Sequence, residues 1–258
     1  MKTTILKSTL AVALCAASLS AMAATNWNLT NSAANEPQVT GWKASNNGSD
    51  IYKTSVGYWA GNGIGVGGET SGNQHALDNQ AGFEVALLSF DDAVRLESVR
   101  AGFTATDSDI FVMAFTGAGS LTATQALDGG TFANLTSRGW TLIGNYANIG
   151  TATKDLGTTS GAFENVYSSF WLIGVGGYAA GSGVNSGDFR NGSAVGFDQC
   201  SGSGGNRVCG RYDYLKLASV GGTIKPPSSG NVPEPGSLAL AGIALLGMVG
   251  MRRRKNTA

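Results

Sequence analysis

The strongest constraint sits near the end of the chain. Residues 238–251 are fourteen positions without a charge or a strongly polar group, and Arg252, Arg253, Arg254 and Lys255 follow at once. Gly236 and Ser237 extend the run to sixteen. A full membrane span needs about 20 residues, with about 17 at the low end. Flanking Arg and Lys side chains that reach the interface, with local bilayer thinning, cover such a deficit. Four consecutive cations prefer the cytoplasmic side. The sequence therefore predicts one transmembrane helix at 236–251 with a basic stop at 252–255. A buried core helix is the competing reading, and the basic cluster fits it badly.

The other end has the matching signal. Lys2 and Lys7 flank an uncharged apolar stretch at 10–17, and Ala21, Met22 and Ala23 form a small-x-small pattern. That order predicts a signal helix over 1–23, cut by signal peptidase after Ala23. Cys15 follows Leu14, where a lipoprotein signal wants a small residue, so lipidation is not expected. The body then lies outside the inner membrane and the tail inside.

Between body and span, Val232, Pro233, Glu234, Pro235 and Gly236 interrupt the chain. Proline lacks an N–H and disfavours helix before it, so 233–235 stays extended at the membrane surface. The stretch 225–232, with Pro226, Pro227 and Gly230, reads as a linker. Pro-Glu-Pro, a short apolar helix and an Arg run, in that order, resemble the PEP-CTERM sorting domain of Gram-negative bacteria. The resemblance covers 233–258. It implies recognition and processing by exosortase during export to the envelope, surface or extracellular polysaccharide, with the inner membrane as an intermediate station.

The body, 24–224, holds most of 39 glycines but few prolines, and charged residues are only 13 % of the chain. Low charge with 42 % apolar residues argues against disorder. Residues 24–235 contain eleven basic and all seventeen acidic residues, a net of −6. Such a body is a poor partner for nucleic acid, whose phosphates need a basic surface. Short apolar runs bounded by Gly, Asn, Asp and Ser predict strands at 51–59, 83–90, 94–103, 110–115, 140–146, 170–175 and 212–220. Short helices fit 125–135 or 152–166. The expected class is all-β, a jelly-roll-like β-sandwich. The stretch 75–91, continuing into Asp107 and Asp109, also resembles the ectodomains of exosortase-dependent surface proteins, which are similar in outline to carbohydrate-binding sandwiches.

Catalytic motifs are scarce. His75 is the one histidine, which excludes a zinc enzyme with several His ligands. No Gly-x-Ser-x-Gly occurs, and the glycines at 61–68 lack the Lys-Ser/Thr of a phosphate loop. Asp91 with Glu97 is a conceivable glycosidase couple, decided only by distance. Asp107 and Asp109 could supply oxygens to Ca²⁺, although turn-capping explains them more simply. No other cofactor or metal is expected. Cys200 and Cys209 are an even pair in an oxidising compartment and predict a disulfide. Trp140 and Trp171 read as core, and Tyr58 with Trp59 as the better candidate for an exposed sugar-stacking face. The expected function is that of a non-catalytic structural or adhesive surface protein. The alternatives are a carbohydrate-binding module on the same anchor, or, less favoured, a hydrolase.

Overall fold

The computed structural model describes residues 24–32, 37–68, 75–80, 82–117, 120–185 and 212–227, with short backbone pieces between 189 and 209. The expected signal helix at 1–23, the sorting segment at 233–258 and the span at 236–251 lie outside the described residues. Among those residues no helix is long and apolar enough to cross a membrane. The chain divides into a large unit, Met1–Lys225, and a small one, Pro226–Ala258.

The large unit is mostly β. Its strands are β1 (Thr25–Asn28), β2 (Gln38–Ala44), β3 (Tyr52–Thr54), β4 (Val56–Trp59), β5 (Gly63–Val66), β6 (Leu77–Asp78), β7 (Phe83–Thr106), β8 (Ile110–Phe115), β9 (Trp140–Tyr146), β10 (Thr153–Asp155) and β11 (Ser168–Val175). After these come β12 (Gly177–Ala179), β13 (Gly183–Asn185), β14 (Phe189–Arg190), β15 (Ser193–Ala194), β16 (Cys200–Ser201), β17 (Val208–Cys209) and β18 (Asp213–Ile224). The first eleven and β18 form one twelve-stranded antiparallel sheet. The helix α1 (Ala123–Leu127) and a 3-10 helix (Phe132–Arg138) follow β8.

The long strand β7 organises this sheet. Its first half pairs with β2 on one side and β11 on the other, and β11 continues to β8 and β9. Its second half pairs with β18 and β10. The partners change between Phe90 and Val94, where Asp91 and Asp92 are exposed and the β11 register slips. The two expected strands 83–90 and 94–103 are thus one. Two aspartates at a bulge look like a turn in sequence, but here they let the strand pass from one part of the sheet to the other.

Alternation along the strands sets the packing. Ala86, Leu88 and Phe90 of β7, Ile110, Val112 and Ala114 of β8, and Trp171, Ile173 and Val175 of β11 face one core. That core also takes Val94, Leu96 and Val99 from the far half of β7, Leu215, Leu217 and Val220 from β18, and Trp27 from β1. The opposite side chains, Val85, Leu87, Phe111, Met113 and Leu172, meet Leu127, Phe132 and Leu135 from the helical segment. Strands buried on both faces read as continuous apolar runs, which is why β8 is legible at its full length. The helical cover starts at a capping box, in which Thr122 Oγ accepts from the Gln125 N–H and Gln125 Oε1 accepts from the Thr122 N–H.

Several expectations need correction. The run 51–59 is two strands, divided at Ser55 so that β3 joins β2 and β4 joins β5. The stretch 152–166 contains β10 and only a short 3-10 turn, Gly161–Phe163. β1 and β2 have too few apolar residues to stand out. Gly63 carries a φ of 109°, and a Cβ there would run into the Leu217 carbonyl of β18. Only glycine lets the β4–β5 hairpin lie that close.

Trp140 and Trp171 are core residues, 1 % and 0 % exposed. The Trp171 indole N–H lies 2.9 Å from the Ser168 carbonyl and 3.2 Å from that of Val94, at the point where β7 changes partners. Trp171→Ala removes a large buried ring and both contacts. It is expected to destabilise the domain by about 3–5 kcal/mol in urea unfolding.

Candidate functional site: an acidic knot and an aromatic groove

β7 is followed by Asp107, β8 is preceded by Asp109, and β18 begins at Asp213. The strand register brings these three to one place, with Asp107 bridged to Asp213. All three are buried, and one carboxylate oxygen from each lies within 4.8 Å of the others. Asp109 is 0 % exposed. The two aspartates expected from sequence do come together, and the third was missed. It lies 104 positions from Asp109, and no local pattern marks it.

Each carboxylate has protein partners. Asp107 Oδ1 accepts from the Ser108 N–H at 2.8 Å, and Asp109 Oδ1 from the Asn148 N–H at 2.7 Å. Asp213 Oδ1 accepts from the Asp109 N–H at 2.6 Å, and its Oδ2 from the Asn79 amide at 2.6 Å. Asn79 also accepts from the Asp213 N–H at 3.0 Å. The knot therefore ties together the loop before β7, the β7–β8 turn, the 148–150 loop and the start of β18. Burial, then the charges of Asp109 and Asp107, hold the Asp213 carboxyl well above the usual range. An all-oxygen donor set of this kind suits a hard cation such as Ca²⁺ better than a thiophilic metal. The same oxygens also cap backbone N–H groups.

Beside the knot, Lys43 Nζ lies 2.8 Å from Glu84 Oε1 across the β2–β7 ladder. Glu84 Oε2 accepts from the Asp78 N–H at 3.0 Å. Burial and then the Asp78 charge push the Glu84 carboxyl up to about 8, against the pull of Lys43.

A second feature lies at the β4–β5 hairpin. Ser55, Tyr58, Trp59, Gly65, Gly68 and His75 line an open groove of about 360 Å³. Tyr58 is 38 % exposed. Trp59 meets the His75 ring edge-on at 5.0 Å, and Lys216 Nζ sits 4.7 Å from the Trp59 ring centre and 4.5 Å from that of Phe103. Lys216 Nζ is 2.7 Å from His75 Nε2. An ammonium can only donate, so His75 accepts at Nε2 and carries its proton on Nδ1, which is buried without a hydrogen-bond partner among the described residues. Burial, then the Lys216 charge, lowers the His75 pKa. Both effects keep the ring neutral.

Other sequence candidates separate. Asp91 and Glu97 lie six positions apart on β7, roughly 20 Å of extended strand. A glycosidase couple needs about 5–9.5 Å. Glu97 instead accepts from Arg95 at 2.6 Å and from Thr223 at 2.7 Å. Cys200 and Cys209 face each other in the β16–β17 register, and their side chains lie outside the description.

Comparison with known proteins assigns the end of the chain. The family model of the PEP-CTERM protein-sorting motif matches residues 231–255. The protein thus carries a signal for export and membrane-anchored sorting in Gram-negative bacteria, one that exosortase processes. No curated protein and no solved structure matches the chain.

The buried acids make stability depend on pH. The folded chain keeps a proton on Glu84 up to about pH 8, whereas the unperturbed group releases it near 4.5. That contribution is fully present below 4.5 and is lost as pH rises through 8. Asp213 acts with the same sign. Unfolding free energy measured in urea is expected to fall between about pH 4.5 and 8, and the fall to be shallower in Glu84→Gln.

Proposed function

We propose that the protein is an exported surface or matrix component whose domain, a jelly-roll-like β-sandwich, is structural or adhesive rather than catalytic. The observation that carries the reading is the sorting motif at 231–255, directly after a domain that ends at Lys225. Signal peptidase removes 1–23, the apolar segment 236–251 halts in the inner membrane with Arg252, Arg253, Arg254 and Lys255 inside, and exosortase acts at Pro233, Glu234 and Pro235. The domain then joins the cell envelope, its surface or the extracellular polysaccharide. A sandwich is supported by the core that both halves of β7 share. The absence of a carboxylate couple at Asp91 and Glu97 weighs against the hydrolase. The opposed register of Cys200 and Cys209 favours a disulfide, which in a small loop contributes roughly 2–3 kcal/mol.

Replacing Pro233, Glu234 and Pro235 together with alanine is expected to leave export intact and to abolish release from the membrane. Intact mass of the surface and membrane fractions reads this. Wild-type surface protein should lack the 252–255 tail, and its mass before and after reduction registers the disulfide. Normal processing of the alanine variant would refute the sorting role.

A second reading, saccharide binding, is favoured by the groove at Tyr58 and Trp59. An exposed ring beside hydroxyl and imidazole groups can stack on the apolar face of a sugar. Tyr58→Ala is expected to weaken retention on the organism's own polysaccharide by about tenfold, the weight of one stacking contact of ~1.4 kcal/mol. Unchanged retention removes this reading and leaves the structural one.

A further inference from the structure

The first described strand and the last one are partners. Thr25, Asn26, Trp27 and Asn28 of β1 stand opposite Gly222, Gly221, Val220 and Ser219 of β18. The ladder continues one residue further, where the Leu29 N–H donates to the Ala218 carbonyl at 2.8 Å. This contact is more than an edge ornament. Trp27 is 7 % exposed and meets Phe90 edge-on at 4.9 Å, and Leu29 is 2 % exposed. β1 closes the main core.

Ala24, the residue that follows the expected cut, immediately precedes β1. A protease holds its substrate extended on both sides of the scissile bond. Once Thr25 is hydrogen-bonded into the sheet and Trp27 is in the core, the residues after the cut can no longer enter a cleft. On the other side, residues 18–23 join the domain to the apolar stretch at 10–17 and span about 20 Å at full extension. A closed domain with its signal attached would be drawn against the membrane with the scissile bond beneath it.

β18 arrives late. It occupies Asp213–Ile224, and its pairing with β7 runs from Asp213 opposite Thr106 to Ile224 opposite Val94. β1 has no strand to pair with until β18 has crossed the membrane. The hydrolysis of the Ala23–Ala24 bond, in which water adds to give a carboxylate on Ala23 and an ammonium on Ala24, therefore has the whole passage of the chain in which to occur. The new ammonium also has a suitable place to go. Ala24 shares a groove of about 190 Å³ with Glu97, whose carboxylate already accepts from Arg95 and Thr223.

We propose that signal removal precedes closure of the domain, and that β1 docks on β18 as a strand with a free N-terminus at Ala24. The described domain begins and ends at one pole of the sheet. Thr25 pairs with Gly222, and two residues beyond Thr223 the Lys225 N–H still donates to the Ala93 carbonyl at 2.8 Å. The sorting motif follows β18 in sequence, so the later cut acts on a domain already closed. The inference rests on the signal-peptide reading and is independent of what the domain binds.

Cysteines at positions 28 and 219, which face each other in the register, report closure directly. In pulse-labelled cells expressing Asn28→Cys with Ser219→Cys, thiol alkylation and peptide mapping distinguish the new disulfide from any between Cys200 and Cys209. The expected result is alkylatable thiols on the signal-bearing precursor and the 28–219 disulfide on chains that begin at Ala24. A precursor that already carries the disulfide overturns the order. If no chain beginning at Ala24 forms, the signal reading itself fails. A second measurement needs no new cysteines. In pulse-labelled wild-type cells, chains that begin at Ala24 are expected to appear first in a form that added protease digests and only later in a resistant one. A signal-bearing precursor that already resists also overturns the proposal.

Discussion

The ladder between β7 and β18 supports nearly everything else in the domain. It runs from Asp213 opposite Thr106 to Ile224 opposite Val94, and it places the buried faces of both strands against one core. On its far side β18 receives β1, β5 and β6, while β7 carries the chain onward to β2 and β11. A break in this ladder removes the common edge of both halves at once. Three register shifts along it interrupt the ladder and add local twist while the two long strands stay paired.

The same ladder creates the polar interior. At one end it brings Asp107 and Asp213 together, and the turn into β8 adds Asp109. Burying carboxylates is costly unless their oxygens are hydrogen-bonded, and here each accepts from a backbone N–H. The knot fixes where four segments of chain meet. At the other end the ladder meets the two termini of the domain, where Ala24 enters and Lys225 leaves. The buried acidic knot and the two ends of the described domain are thus at opposite ends of β18.

Parts of this architecture are readable locally. β8 shows its full length in sequence because both faces are apolar and flanking polar residues mark its ends. Trp140 and Trp171 are recognisable as core because each leads an apolar run. Asp91 and Asp92 mislead, since paired aspartates normally mark a turn and here sit at a bulge within a continuous strand. β1 and β2 are hidden because their apolar residues are few and their stability comes from partners remote in sequence. Asp213 is hidden for the same reason. Nothing near Tyr212 or Tyr214 indicates that residue 213 completes a cluster with 107 and 109.

The sequence by itself determined the sorting motif and the class. Prolines, then an apolar run, then a basic cluster act through local chemistry, so their order alone marks the export and sorting motif at 231–255. Apolar alternation between glycine-rich turns determined that the body is β. Only the tertiary structure decided which strands pair, that β7 crosses between two sets of partners, which carboxylates share a site and that the first strand meets the last. Those outcomes depend on contacts between residues tens to hundreds of positions apart, and they are selected by the burial of a whole core rather than by the preferences of any one segment.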